Sequence, residues 1–160
     1  MRSLSIAEIV GRLRSAKTKI ERAEILKNND SGALRGILRM NYDSSLILAL
    51  PEGAPPYKSS QRPVGFGDTT LHASAKGWKY FVKELSPELT QPKREQMFIR
   101  LLEALDVQEA EILLKAKDRK LDIGVTKKLI DEVFPGLIKA EVKKNGKKES
   151  ITQRTDTSDS

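Results

Sequence analysis

Along the first 138 positions, apolar residues recur at spacings of three and four rather than two, which is the period of helices packed by one face. Ile6, Ile9, Val10 and Leu13 predict a short amphipathic helix from Ser5 to about Ser15. Thr18-Lys19-Ile20-Glu21 reads as a capping box opening a second helix, with Ile20, Ala23 and Leu26 as its buried stripe and Asn28-Asn29-Asp30 as its end. A third opens at Ser31, with Leu34, Ile37 and Leu38 inward and Arg35 and Arg39 on another face. Gly32 and Gly36 weaken it, so it requires tertiary support. The apolar run 43–50 does not fix its own period, and its helical surroundings favour a further helical turn or two. Residues 51–68 hold four of the seven prolines and three glycines and must form an irregular loop. Helix resumes near Thr69 or Thr70, where Leu71, Ala75, Trp78, Val82 and Leu85 make a stripe closed by Ser86-Pro87. Another helix runs from about Pro92 to Leu105, burying Phe98, Leu101, Leu102 and Leu105. Asp106 to Glu109 forms a second capping box ahead of Ala110, Leu113 and Leu114. The last helix starts just after Gly124, buries Leu129, Val133 and Phe134, and stops at Pro135-Gly136.

Six or seven short helices and no strand predict an all-α fold, a single compact domain of residues 1–138. Residues 139–160, rich in Lys, Ser and Thr with almost no apolar anchor, read as a disordered tail. The 160-residue chain suits one domain, and hydrophobic residues at 38% can build one core. No Cys and a single His, His72, exclude disulfides, thiolate zinc sites, iron–sulfur clusters and Cys nucleophiles. No apolar run spans a membrane and no secretion signal opens the chain, so a cytoplasmic location without membrane attachment is expected.

The formal charge of +7 is unevenly placed: residues 1–62 carry 11 Lys/Arg against 6 Asp/Glu, whereas residues 63–138 carry 12 of each. A local excess of this kind suits a polyanion, because every neutralised phosphate releases condensed counterions. Catalytic and metal-binding constellations are not found, and no cofactor is implied. His72 reads as a helix-surface or edge residue. Glu103, Asp106, Glu109 and Glu111 are explained by capping and by a solvated helix face. Gly65-Phe66-Gly67 outlines a phosphate cradle, for which loop flexibility is the simpler account.

Three constellations could bind. From Arg12 to Arg39, eight basic residues (Arg12, Arg14, Lys17, Lys19, Arg22, Lys27, Arg35 and Arg39) face only three acidic ones, and two helix starts fall within the run. From Lys117 to Lys128, a basic stretch with Arg119 and Lys120 leads through Gly124 to a helix capped by Thr126, with Lys127 and Lys128 in its first turn. Lysines there oppose the helix dipole unless an anion is bound. Lys76, Lys79 and Lys83 lie beside Trp78, Tyr80 and Phe81, a pattern that fits base stacking on single strands, although Trp78 shares the buried stripe.

The stretch from Ala16 to Asp30, followed by Leu34 through Tyr42, resembles the start of the helical N-terminal DNA-binding domain of T-even-type phage ATP-dependent DNA ligases. Asp118 to Thr126, running on to Val133-Phe134-Pro135-Gly136-Leu137-Ile138, resembles the end of that domain. The pattern from Leu50 to Lys58, with Lys93-Arg94-Glu95 and Phe134 to Leu137, is similar to a family of uncharacterised small proteins of tailed phages, notably those of cyanobacteria. The ligase domain grips duplex DNA by its backbone while a separate domain becomes adenylated, and no K-x-D-G motif of that domain occurs here. The resemblance therefore implies a non-enzymatic, sequence-nonspecific DNA-binding phage protein acting in the host cytoplasm, or in the virion. Its expected phosphate contacts are Lys17, Lys19, Arg22, Lys27, Arg35, Arg39, Arg119, Lys120, Gly124, Thr126, Lys127 and Lys128, with Lys143, Lys144, Lys147 and Lys148 adding electrostatic affinity. The alternative is an adaptor for other phage proteins, or a virion component, that docks through the 51–68 loop without binding DNA.

Overall fold

In the computed structural model, which describes residues 4–138, the chain is all-α. Seven α-helices follow one another: α1 (Ile6–Ser15), α2 (Lys19–Asn28), α3 (Gly32–Tyr42), α4 (Leu71–Ser74), α5 (Gln91–Ala104), α6 (Val107–Lys117) and α7 (Lys127–Val133). Two 3-10 segments, Ala75–Phe81 and Lys83–Leu85, lie between α4 and α5. The expected tail and its four lysines lie outside the described residues.

Every one of these α-helices begins at a Ser, Thr or Asp whose side-chain oxygen accepts the amide three residues on: Ser5, Thr18, Ser31, Thr70, Thr90, Asp106 and Thr126. Each cap stabilises its helix by about 1 kcal/mol, which is how helices this short acquire defined starts. Their inner faces then build one core. The α3 helix lies against α6, α4 and the first 3-10 segment, α1 packs on α2 and α6, and α2 meets α7. Ile6, Leu13, Leu34, Leu38, Leu71, Leu102, Leu105, Leu113 and Ile130 are wholly buried between them.

Four expectations change. Residues 43–50 are not helical. The Asp43 carboxylate, itself buried, accepts from the Ser45 amide at 3.0 Å and the Ser45 hydroxyl at 2.6 Å, an Asx turn that replaces the next helical turn. The chain then runs extended, and the Ala49 amide donates to the Phe81 carbonyl at 2.8 Å. The predicted helix from Thr69 to Leu85 makes a single α turn and continues as 3-10. With three residues per turn, the inward ridge becomes Ala75, Trp78 and Phe81, so Leu85 is left 63% exposed. Packing decides this: a Cβ on Gly36 would lie 2.7 Å from Trp78 Cζ3, so α3 accepts the indole only because it has a glycine there. Ile20 is 74% exposed and takes no part in the α2 stripe, because α7 covers the face bearing Arg22 and Leu26 instead.

The acidic group is the fourth change. Asp106 and Glu109 are buried rather than on a solvated face, and only half of the second capping box forms. Asp106 accepts the Glu109 amide at 2.9 Å, but the Glu109 carboxylate turns inward and takes the Leu71 amide at 2.9 Å. Its neighbours secure the 51–68 loop, which is irregular as expected yet tied down. Gly53 donates to Asp118 at 3.0 Å, Lys58 to Glu103 at 2.9 Å, and Gly65 to Asp106 at 2.9 Å. The outlined cradle at Gly65-Phe66-Gly67 is thereby closed to phosphate, since Asp106 holds its amide and a Cβ on Gly67 would meet the Asp106 backbone nitrogen at 2.7 Å.

Candidate nucleic-acid interface

The segment that leads into α7 is held from below by the end of α3. Asn41, which is buried, pairs with Leu121 in both directions, its Nδ2 donating to the Leu121 carbonyl at 2.8 Å and its Oδ1 accepting the Leu121 amide at 3.0 Å. The Tyr42 hydroxyl donates to the Val125 carbonyl at 2.8 Å, and burial pushes its own ionisation up, so it stays a donor at neutral pH. Between these two anchors the chain turns through Gly124 at φ +72°, a conformation that favours glycine.

Two arginines converge on that turn from different helices. Arg14, at the end of α1, donates from Nε to the Asp122 carbonyl at 3.0 Å. Arg22, from the first turn of α2, lies across Gly124, where an added Cβ would be 3.1 Å from its Nε; its Nη2 donates to the Ala16 carbonyl at 2.9 Å. Each uses one of the five N–H groups of a guanidinium on a backbone carbonyl and neither has a carboxylate partner among the described residues. The Arg22 Nε is buried with no hydrogen-bond partner, a cost accepted at this corner. Lys17, Lys127 and Lys128 are exposed nearby in the chain. The carboxylate of Asp122 also stands at the turn, directed onto the Gly124 amide at 3.2 Å.

The other expected contacts disperse. Lys19 pairs with Glu132 of α7 at 3.2 Å. Lys27 is exposed but, at 3.6 residues per turn, points roughly 140° away from Arg22 around α2. Arg35 is bidentate to Asp30 at 2.7 and 2.9 Å and lies 4.8 Å over the Phe134 ring; this hydrogen bonding holds the Asp30 carboxyl below its ordinary range. Arg39 pairs with Asp43 at 3.3 Å. Burial raises the Asp43 carboxyl, but bonds from Ser45 and Arg39 outweigh it and leave a net lowering. Arg119 acts in the fold: Nη1 donates to the carbonyls of Met40 at 3.0 Å and Asp43 at 2.8 Å, and Nη2 to Leu46 at 2.5 Å, closing the C-terminus of α3. Lys120 meets Glu52 at 3.4 Å. Thr126 is occupied as the α7 cap, accepting the Leu129 amide at 3.1 Å. Because α7 is only seven residues long, the dipole argument for an anion at its start weakens, and the convergence of Arg14 and Arg22 replaces it.

Two arginines carry more than the sequence reading assigned them. Arg14 sits in the basic run, but only the fold shows that it shares a turn with Arg22. Arg94, 1% exposed, has no local signal at all: its Nε donates to Tyr80 at 2.9 Å, Nη1 to the Gln91 side chain at 2.8 Å and Nη2 to Ser86 at 2.9 Å. His72 is half-buried, its Nε2 lying 2.9 Å from the Leu4 carbonyl, an edge residue as expected. Among the described residues no group of His, Asp and Glu could hold a metal ion, and no helix is long and apolar enough to cross a membrane.

A small all-helical domain in which two arginines from different helices meet at one backbone turn is the class that fold and site define. Residues 9–123 match a family of unknown function designated DUF6433, and the chain belongs to that family. The match begins in α1 and ends one residue before Gly124. No curated protein matches the chain.

Proposed function

We propose that this protein binds duplex DNA through backbone phosphates, without reading base sequence and without a catalytic step. The observation that carries it is the corner where Arg14 and Arg22, from two helices, meet the rigid turn at Gly124 while most of their N–H groups remain unengaged. Planar guanidiniums with free donors suit phosphate oxygens, and a turn fixed by Asn41 and Tyr42 sets their spacing before the ligand arrives. Lys17 and Lys128 extend the positive surface. Contacts of this type set position on a duplex and carry no base information. The ligase-like stretches around Ala16–Asp30 and Asp118–Thr126 support the same reading, in which the protein would act in a phage-infected cell. The test is fluorescence anisotropy against labelled duplexes of two unrelated sequences over a range of salt. Equal affinity for both is expected, with a log–log salt slope of roughly −4, at about −0.9 per phosphate. The Arg14→Ala/Arg22→Ala double variant should bind at least tenfold more weakly and flatten that slope by about 2. Failure of the wild type to bind at low salt overturns the proposal.

A second reading, docking to another protein, has one observation behind it. Val64 and Phe66 are 55% and 69% exposed on a loop whose backbone Glu103, Asp106 and Asp118 hold in place. Anchored backbone beneath exposed apolar side chains is the arrangement of a docking loop. Salt-insensitive capture of a protein partner, lost in Phe66→Ser, would favour it over DNA.

A further inference from the structure

The 3-10 winding of residues 75–81 does more than bury Trp78. With three residues per turn, side chains three apart eclipse one another, so the segment has three ridges. Ala75, Trp78 and Phe81 form the inner one, with Trp78 and Phe81 buried. Lys76 and Lys79 form a second, both exposed, and Gly77 with Tyr80 the third. Tyr80 is 39% exposed, the Lys79 ammonium lies 5.5 Å from its ring centroid, and a Cβ on Gly77 would touch nothing within 4 Å. A part-exposed aromatic ring therefore shares its ridge with a glycine that leaves open space, with the Lys79 ammonium against it and Lys76 and Lys83 exposed to either side along the chain. None of these lysines has a carboxylate partner among the described residues; Glu84 is the single acid in residues 75–85.

We propose that Tyr80, with Lys76, Lys79 and Lys83, is a stacking platform for unpaired nucleotides of a single-stranded nucleic acid. This proposal does not rest on the duplex reading, which uses the opposite resource: guanidiniums at the Gly124 turn and no aromatic ring. Every base has a π-face, so one ring flanked by ammonium groups binds strands with little regard to sequence. A lone ring at the protein surface cannot reach a base inside an intact duplex, which is what confines the platform to unpaired strands.

The platform is also rigid. The Tyr80 carbonyl accepts from Arg94 Nε at 2.9 Å and from the Ser86 hydroxyl at 3.2 Å, while the next carbonyl, Phe81, accepts from Ala49 at 2.8 Å. On the inner side Trp78 is seated on Gly36 and Phe81 meets Phe98 edge to face at 5.3 Å. Arg94 is a positioning residue here, since it fixes the backbone that presents the ring and touches no nucleotide itself. A backbone held in this way presents the ring from a fixed point and loses little freedom when a base stacks on it.

The test titrates the full chain into labelled oligo(dT) and oligo(U), with intact duplex as a third arm. The wild type should bind a single-stranded arm; Tyr80→Ala should weaken that binding about tenfold and leave duplex binding within twofold, and Tyr80→Phe should retain it, because the ring and not the hydroxyl stacks. The two oligonucleotide arms tell DNA from RNA as the source of the strand. No binding of either oligonucleotide, or equal binding by wild type and Tyr80→Ala, overturns the platform. A Tyr80→Ala variant that loses duplex affinity in the same proportion also overturns it, since the surface would not be separate. Single-strand binding that survives Arg14→Ala/Arg22→Ala, alongside absent duplex binding in the wild type, would uphold the platform while sinking the duplex reading. Tyr80 is solvent-facing, and a matched thermal melt of Tyr80→Ala shows that its loss is not unfolding.

Discussion

Arg119 and Arg22 both lay a guanidinium on backbone carbonyls, yet the two regions use the same chemistry to opposite ends. At the junction of α3 and α6, Arg119 bonds three carbonyls, and in the turn before α5 Arg94 bonds Tyr80, Ser86 and Gln91. Their donors are engaged in closing helix ends and turns. At the α1–α2–α7 corner, Arg14 and Arg22 bond one carbonyl each, and their other N–H groups have no carboxylate to meet. Cationic residues of one type thus divide into those the fold needs and those it leaves available, and only donor-by-donor inspection tells them apart. Charge density along the chain does not: Arg35, Arg39 and Arg22 belong to one basic run, and the first two are paired to Asp30 and Asp43.

The largest break in this comparison is expected at Arg94. Replacing it by Met removes the charged donor from the Tyr80 and Ser86 carbonyls, which keep only the Ser86 hydroxyl and the Leu89 amide, and at about 1.5–3 kcal/mol for each bond from a charged group urea denaturation should show a loss of about 3–5 kcal/mol. Arg94→Lys should restore less than half of that, because an ammonium cannot reproduce the planar fork that reaches three directions at once. A variant of unchanged stability would mean that these bonds contribute nothing beyond those water supplies to the unfolded chain.

Next comes the direct contrast between the two regions. Arg119→Ala should cost about 2 kcal/mol of stability, since the Met40, Asp43 and Leu46 carbonyls lose its donors, although Asp43 keeps the Leu46 amide and solvent replaces part of the bonding at the others. Its duplex affinity, measured well below the melting temperature, should stay within twofold of wild type. Arg22→Ala should behave conversely, losing affinity several-fold with less than about 1 kcal/mol of stability, because a single exchanged hydrogen bond is worth that much. If both variants lose stability and affinity together, the division between structural and available arginines fails.

Much of the fold was legible because helix starts are local. Thr18, Ser31, Asp106 and Thr126 each sit next to an apolar stripe, and a cap needs only the four residues that form it. What was not legible depended on partners far along the chain. Residues 75–81 wind as 3-10 because Trp78 must fit Gly36, and residues 43–50 leave the helix because Asp43 prefers Ser45 while Ala49 finds Phe81. The site divides in the same way. Arg22 and Gly124 were both singled out, but that they touch follows from α2 lying against α7, and Arg119 reads as a phosphate contact until its carbonyl partners are seen. Glu109 misled for a different reason: a capping-box pattern fixes the Asp106 half locally and says nothing of where the Glu side chain goes once a buried amide competes for it.

Gly124 sharpens the comparison with a smaller effect. At φ +72° an alanine is strained by about 1 kcal/mol, and its methyl would press on Arg22 Nε at 3.1 Å. The guanidinium sits at the end of a flexible side chain and can give way, so most of the damage should fall on binding. Gly124→Ala is expected to lower the midpoint of thermal unfolding by a few degrees while reducing duplex affinity by more than Gly53→Ala, a positive-φ glycine with open space around it that carries the same backbone strain. Equal affinities for the two variants would remove Gly124 and its contact with Arg22 from the binding surface.

The smallest effect is a slope rather than a level, and it concerns the acid that takes the place of an arginine at the α1–α4–α6 junction. Glu109 is buried, its Oε1 holds the Leu71 amide, and its Oε2 has no partner. Burial raises its carboxyl above the ordinary 4.5, the nearby Asp106 carboxylate raises it further, and the bonds from the Leu71 and Ala7 amides and the charge of His72 pull it back without cancelling the rise. Between 4.5 and that raised native value, the folded protein holds more protons than the unfolded chain. Stability therefore increases as pH falls through this window, the reverse of what Asp30 and Asp43 do, since their lowered carboxyls withdraw stability only as pH falls below the ordinary 3.8. In a His72→Asn background, which removes the chain's single imidazole, urea unfolding from pH 7 down to about 4.5 should show this gain with Glu109 present. The Glu109→Gln variant should lack it, because the amide keeps an acceptor for Leu71 and carries no charge to bury. Parallel pH profiles for the two proteins would show that the buried carboxylate is already compensated by the two helix amides it caps, and that this junction, like Arg119, is closed by hydrogen bonds alone.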